Sequence, residues 1–501
     1  MRRVYCISLL LLSALWLKAG DSTRVRHTLP YIGFFETTYS HPAAALWRPV
    51  RERVTVEASW NRHNAPDYHL LREGKSSSSF ELSAEGIQRD VRSAFWGSAS
   101  YRNRKRKGTN WTNVADLHRI GPYQITDSIG GNVLGEEYLL SGGFSLKAGK
   151  YIWSAEAGYR VGNDYRKRDP RPQTTVSEPY LRIGAAMPAG EYRLGATLSA
   201  GLYQQRLSTI TVESHRSDTY FAMKGFGMYD RQQSGYGSTF NWLYEGNNYG
   251  LSLFMLPETG SGWLGSAAWM AENTESYSSG NMYPFLFRTN RLEFQIGNSQ
   301  RDSHGNRALK IEGYLQQGKG KERIYENVPV EGNSDGVLHE YRLLSESDRY
   351  LHDRGKVKAI LLQEWYHTRK EFWAEAGAGA ISCSEQYKSP NYKIAHTHLD
   401  ISAKTGIEFI SDKSSLITEL KVGYRPLLHS QKILPDSDDL FNASMAPDLD
   451  IMLSSPLSAE CMVRYEYLRD KVKWFLSGNL SFLGIRGRNA TVIQLAAGIK
   501  L

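Results

Sequence analysis

The stretch Thr491-Val492-Ile493-Gln494-Leu495-Ala496-Ala497-Gly498-Ile499-Lys500-Leu501 decides how this chain is read. Ile493, Leu495, Ala497, Ile499 and Leu501 fall on alternate positions, with Val492, Gln494, Ala496, Gly498 and Lys500 between them. Successive side chains of a strand point to opposite faces, so the segment has one oily face and one mixed face.

The same two-residue period recurs upstream. In 151–162, Tyr151, Trp153, Ala155, Ala157, Tyr159 and Val161 oppose Ser154, Glu156, Gly158, Arg160 and Gly162. In 192–202, Leu194, Ala196, Leu198 and Leu202 oppose Arg193, Gly195, Thr197 and Gly201. Segments 307–316, 398–409 and 416–425 repeat it, with Leu309 and Ile311 against Lys310 and Glu312, and Leu420 and Val422 against Glu419 and Lys421. A soluble sandwich also alternates. These runs, however, are about nine to twelve residues long, the reach of a tilted strand across a bilayer, whereas ordinary strands average about five or six. Their polar faces carry Gly, Ser and charges of both signs, which suits a water-filled lumen.

Connection lengths provide an independent test. About twenty strands (18–22) are expected, starting near residues 54, 78, 93, 137, 151, 179, 191, 220, 236, 249, 263, 288, 307, 354, 372, 396, 415, 449, 473 and 490. Short turns at 147–150, 188–191, 368–371, 411–415 and 468–471 alternate with long connections near 102–136, 163–178, 205–219, 272–287, 317–353, 384–395 and 428–448. Two connections, 245–248 and 486–489, are short where a long one was allowed. Transmembrane barrels alternate tight periplasmic turns with long outer loops in this way. Tyr151, Trp153, Trp263, Trp365, Tyr366 and Trp474 near strand ends suit interfacial aromatic girdles.

Composition narrows the class. Mean hydropathy is −0.47, and beyond the amino terminus no stretch approaches the roughly 18 apolar residues of a membrane helix. Met1-Arg2-Arg3, the apolar run Ile7–Leu17 and the small Ala19 and Gly20 have the layout of a secretory signal peptide. Beyond it only Cys383 and Cys461 remain, too few for a disulfide framework; they could pair if adjacent or stay as two small residues. The chain carries a net charge of +9. Its one concentrated basic patch, Arg102-Asn103-Arg104-Lys105-Arg106-Lys107, has no aromatic interleaving or nucleic-acid module around it, so nucleic acid is not expected as a partner. A solvated loop, or a loop touching anionic headgroups, is the expectation there.

Three resemblances bear on this reading. The segment 491–501 resembles the terminal strand by which outer-membrane β-barrels are recognised and closed, although Leu501 stands where Phe or Trp is usual. That implies the barrel assembly machinery as a partner. Asp127-Ser128-Ile129-Gly130-Gly131, Glu136-Glu137-Tyr138-Leu139-Leu140-Ser141-Gly142-Gly143, Asp164-Tyr165-Arg166 and Asp169-Pro170-Arg171-Pro172 occur in that order. They resemble a family of uncharacterised outer-membrane β-barrels of Gram-negative anaerobes, a domain of unknown function with no activity to carry over. Finally, His41-Pro42-Ala43-Ala44-Ala45-Leu46 is similar to the Asn-Pro-Ala segment in the plug of long-chain fatty-acid transporter barrels, with His41 in place of Asn.

The expectation is therefore an all-β protein: a signal peptide at 1–20, an N-terminal segment at 21–53 suited to a lumenal plug, and a transmembrane antiparallel barrel at 54–501 in the outer membrane. Glu156, Arg160, Arg193, Lys310, Glu312, His398, Asp400, Lys404, Glu408, Glu419, Lys421 and Arg425 are expected to line the lumen, their mixed signs arguing against strong ion selectivity. His396, His398 and Asp400 share one strand face and form a candidate zinc or general-base site. No nucleophile elbow, phosphate loop or His-Glu-x-x-His motif is present. The leading function is a channel or transporter for small solutes, without enzymatic activity or cofactor. A docking barrel for a surface lipoprotein or secreted partner is the alternative, and a membrane-embedded hydrolase a third.

Overall fold

The computed structural model describes residues 33–48, 52–213, 217–259, 261–278, 281–329, 339–436, 439–470, 472–485 and 487–501. The expected signal peptide, and residues 21–32 and 49–51 of the expected plug segment, lie outside the described residues.

Strands β1 (Glu52–Asn64), β2 (Ser76–Arg89) and β3 (Ser93–Thr109) open the chain, followed by a two-residue β4 (Ile125–Thr126). Next come β5 (Gly131–Ala148), β6 (Tyr151–Arg166), β7 (Arg171–Ala189), β8 (Tyr192–Ile210), β9 (Asp218–Gly225) and β10 (Met228–Gly237). Longer strands follow: β11 (Thr239–Pro257), β12 (Gly262–Tyr277), β13 (Phe285–Arg301), β14 (Gly305–Pro329), β15 (His339–Tyr366), β16 (Lys370–Tyr387) and β17 (Tyr392–Ile410). The last are β18 (Ser414–Tyr424), β19 (Leu427–Ile433), β20 (Leu457–Arg469), β21 (Val472–Ile485) and β22 (Arg488–Lys500).

Each wall strand pairs antiparallel with its sequence neighbour, and β22 returns to pair with β1 from Thr55↔Lys500 to Asn64↔Thr491. The result is a closed 18-stranded antiparallel barrel plus one extra strand. That extra strand, β19, continues the line of β18 along β17 after Arg425-Pro426, where Pro426 can offer no N–H to the ladder. Closure gives each of the eighteen wall strands a partner on both sides, a condition for spanning lipid with strands.

Several expectations need correction. The strand expected near 220 is not in the wall: β9 forms a separate three-stranded sheet with β10 and β4, and the strands expected near 236 and 249 are one wall strand, β11. The strand expected near 449 is the helix Ala446–Met452, and the wall resumes at Leu457. Residues 245–248, read as a short turn, lie inside β11. Much of 163–178 and 384–395, read as long loops, is strand, because β6, β7, β16 and β17 run past the bilayer before turning. The basic cluster at 102–107 is likewise strand: Arg102, Arg104 and Arg106 share a face of β3 and pair with carboxylates, while Lys105 and Lys107 are exposed. Hydropathy cannot tell a strand extended beyond the membrane from a loop, since both are polar.

Burial is inverted relative to a soluble protein. Leu309 and Ile311 are 48% and 40% exposed, whereas Lys310 between them is 7% exposed. Leu198 and Leu202 of β8, Leu420 and Val422 of β18, and Ile493 and Leu495 of β22 are also exposed. An apolar exterior of this extent is stable in lipid, not in water. At the ends of the strands joined by short turns, Trp153, Trp263, Trp365 and Trp474 all face outward. Tyr366 does not belong to that girdle: adjacent to Trp365, it points inward and its hydroxyl donates to Glu364 Oε2 at 2.7 Å. These features make the chain an integral outer-membrane barrel.

Candidate functional site

The lumen is filled from both ends by the chain itself. At the short-turn end sit residues 33–48, a helical turn at Glu36–Tyr39 and a 3₁₀ helix at Pro42–Trp47. Pro42 opens the latter, where its missing N–H costs no hydrogen bond. Phe34, Phe35, Ala43, Ala44, Ala45 and Leu46 are buried against wall residues from most of the circumference, among them Ala94, Ile152, Phe254, Leu264, Leu362 and Trp373. Three wall side chains clasp the segment's carbonyls. Ser145 Oγ donates to Pro42 O (2.6 Å), Lys310 Nζ to Phe34 O (2.7 Å) and Arg89 Nη1 to Leu46 O (2.7 Å). Burying Phe34, Phe35 and Leu46 contributes about 1.5–3 kcal/mol each. His41 packs on Phe254 at 4.9 Å, and burial together with the Arg182 charge pushes its pKa down to about 4. A cavity of about 150 Å³ separates Thr37 and His41 from Glu293, Gln295, Glu312 and Lys356 of the wall.

At the other end, three outer connections fold inward. Residues 110–130, the β9–β10 hairpin and the helices Asp439–Ser444 and Ala446–Met452 share one core. Ile120, Tyr123, Tyr220, Phe226, Phe441 and Leu449 pack there on Trp242, Tyr244, Phe285, Phe287, Tyr350 and Tyr387 of the wall. Tyr244 Oη donates to Tyr123 O and accepts from the Ile125 N–H. Gly121 has φ +61°, and a Cβ there would meet the Phe287 ring at 2.7 Å. Gly227, at φ +76°, lets the β9–β10 turn approach the Phe441 backbone at a distance no Cβ would tolerate. Leu71 N–H donates to Asp448 Oδ1, tying the second helix to the β1–β2 loop.

Between these layers the inner wall is charged, and many of the charges are paired. Arg160 holds Asp116 of the inserted connection at 2.6 Å and Glu178 at 2.9 Å. Burial alone would raise the pKa of Asp116, but the hydrogen bond and charge of Arg160 overcome it and hold the carboxyl below its ordinary range. Glu156 accepts from Trp96 Nε1 (3.0 Å) and pairs with Arg182 (3.2 Å). Lys310 pairs with Glu312 at 3.0 Å, Lys404 with Glu419 at 2.8 Å, and Lys421 with Glu460 at 3.6 Å. The Arg193 guanidinium lies 5.1 Å from the Trp47 ring centroid. Glu408 is buried, with Glu371 as its register partner.

The expected trio of His396, His398 and Asp400 is divided by its neighbours. Asp400 accepts from Lys358 Nζ at 2.9 Å and Arg425 Nε at 3.2 Å. His398 Nε2 lies 3.0 Å from Ser454 O, and its Nδ1 lies 3.3 Å from His396 Nδ1. Cys383 and Cys461 are both free; the first is buried in the inner wall and the second exposed on β20, so they cannot pair. What sequence spacing did not reveal is that His352, Cys383 and Glu385 place ligand atoms within 4.8 Å of one another. They lie on two strands, so only the register, His352↔Glu385, exposes the cluster.

The stretches 127–131, 164–166 and 169–172 converge at the outer end, whereas 136–143 runs down β5 toward the short-turn end. Asp127 pairs with Arg166 at 2.7 Å, both side chains 1% exposed, and also accepts from the Ile129 and Gly130 N–H groups. Asp164 binds Arg104 and Arg106, and Asp169 binds Arg171.

A closed 18-stranded wall, an apolar exterior with an aromatic girdle and a charged, largely paired lumen define a large outer-membrane β-barrel. Within that class the chain belongs to a family of unknown function, DUF6850, whose model matches residues 42–501. No curated protein matches its sequence. Among solved structures, it is similar to the ferric preacinetobactin receptor BauA from Acinetobacter baumannii, with 10% identity and a TM-score of 0.37, covering 89% of this chain and 79% of that one. It is also similar to the unliganded ferric citrate transporter FecA (9% identity, TM-score 0.38, 91% and 79% covered). A third is the ferric-catecholate import receptor Fiu from E. coli K12 (7% identity, TM-score 0.36, 91% and 82% covered).

Proposed function

We propose that the protein is a gated transport barrel for small polar solutes, with residues 33–48 as a displaceable plug. The observation that carries this reading is the seating of that segment across the barrel end, on residues from strands all round the wall, through three carbonyl clasps. Eighteen strands enclose a lumen wide enough for an aqueous path once the inserts move. The charged inner face suits a polar cargo rather than a fatty acid, despite the likeness of 41–46 to a fatty-acid transporter plug. Lys358 and Arg425 hold both oxygens of Asp400, which supports an ion-pairing role for that residue over the hydrolase reading. Strand β22 is read as the segment handed to the barrel assembly machinery.

Planar-bilayer recordings test the transport reading. They compare the full chain, a chain lacking residues 33–48, and a chain that also has the β9–β10 hairpin replaced by a short Gly-Ser turn. Conductance is expected to rise with the first change and again with the second. A doubly altered barrel no more conductive than the full chain would overturn it.

One observation favours a second reading, a docking barrel for a surface lipoprotein. Strands β14 and β15 are 25 and 28 residues long and extend far past the bilayer, with Leu343 and Leu344 exposed on the extension. A stoichiometric partner co-purifying in mild detergent, and lost when 322–346 is shortened, would support it.

A further inference from the structure

We propose that His352, Cys383 and Glu385 form a binding site for a divalent transition-metal ion of zinc type on the inner wall of the barrel. This goes beyond the transport reading and does not depend on it.

The strand register builds the site. His352 of β15 and Glu385 of β16 are direct cross-strand partners, and Cys383 lies two residues from Glu385 on the same inward face. His352 Nε2 is 3.8 Å from Cys383 Sγ and 3.8 Å from a Glu385 carboxylate oxygen. Tetrahedral zinc with its usual bonds to sulfur, nitrogen and oxygen sets such atoms about 3.5 Å apart. The two distances to His352 therefore need to contract by only a few tenths of an ångström, and all three ligand atoms already lie within 4.8 Å of one another.

The donor set selects the ion. One imidazole, one thiolate and one carboxylate suit a borderline cation such as Zn²⁺ or Co²⁺; calcium and magnesium require oxygen donors, which are too few here. His352 and Cys383 are each 9% exposed, so the ligands are shielded yet face the lumen. On the far side, His396 is the β17 partner of Cys383, and its Nε2 is buried with no hydrogen-bond partner. Three protein ligands leave a fourth position open, with this orphaned imidazole beside it. Binding displaces the thiol proton to solvent as the metal–sulfur bond forms, so affinity falls as pH falls.

The position is also distinctive. Tyr350 and Tyr387, on the same strands, belong to the core beneath the folded-in outer connections, and His398 contacts Ser454 of the last of these. The site thus lies where the inserted layer meets the open lumen.

Cobalt(II) alone is the probe, added to the metal-free full chain folded in detergent. One equivalent is expected to give a thiolate-to-metal charge-transfer band and tetrahedral ligand-field bands, and zinc should displace both. Cys383→Ser should abolish the charge-transfer band, whereas Cys461→Ser should leave it intact. His352→Ala and Glu385→Gln should weaken binding by more than the roughly 10–100-fold typical of outer-sphere partners. Heat-modifiable gel migration confirms that each variant has folded. If Cys383→Ser does not fold, the wild-type spectrum decides alone. No charge-transfer band at one equivalent, or an unchanged band in folded Cys383→Ser, overturns the proposal.

Discussion

Lys310 shows how one residue's setting departs from its bare chemistry. A lysine between two apolar residues is expected to reach water, yet here Lys310 is buried and the apolar pair exposed, because lipid and lumen have exchanged the usual solvents. Its ammonium then serves a structural purpose, holding Phe34 O of the inserted segment. Alternation made the inward orientation of Lys310 legible; its partner, 276 residues away, was not. His41 gives a prediction at this scale. Docked, it stays neutral down to about 4, whereas a released histidine titrates near 6.5, so the undocked state takes up protons first between those values. Docking of 33–48 is therefore at full strength above about pH 6.5 and weakens as pH falls toward about 4. Limited proteolysis across this range should cut the segment faster at the acid end, and His41→Gln should flatten the profile. Equal protection at both ends would count against the burial argument.

Among the elements, the wall strands were readable because each must show lipid an apolar face every second residue. Their outer extensions were not, since above the bilayer both faces meet water and the period fades. The strand near 220 was recognised but misplaced in the wall, and its hairpin partner β10 was not read, because the local pattern is that of any strand; what draws the hairpin inward is the Tyr220 and Phe226 contact with the inserted core. The connection 110–130 is pinned in the same way by Asp127. Removing its buried partner through Arg166→Ala strands a carboxylate that is 1% exposed, at a cost of about 3–5 kcal/mol. The expected result is selective protease cleavage within 110–130 while the barrel still migrates as folded. An insert as resistant as the wild type would mean that the aromatic core alone holds it.

For the whole molecule, closure decides stability. Strand β22 pairs with both β1 and β21, so deleting 491–501 leaves two long unpaired edges. We expect that deletion to abolish the compact form that resists SDS until boiled. A truncated chain that still shows it would show that the barrel can close through another seam. By itself the sequence determined the architecture: the two-residue period follows from side chains that face lipid and lumen in turn, and strands long enough to cross the bilayer follow from its thickness. Only the tertiary structure decided the count of eighteen wall strands, the two layers inside them and the His352, Cys383 and Glu385 cluster. These depend on cross-strand register and on contacts between segments hundreds of residues apart. A local period carries no record of either.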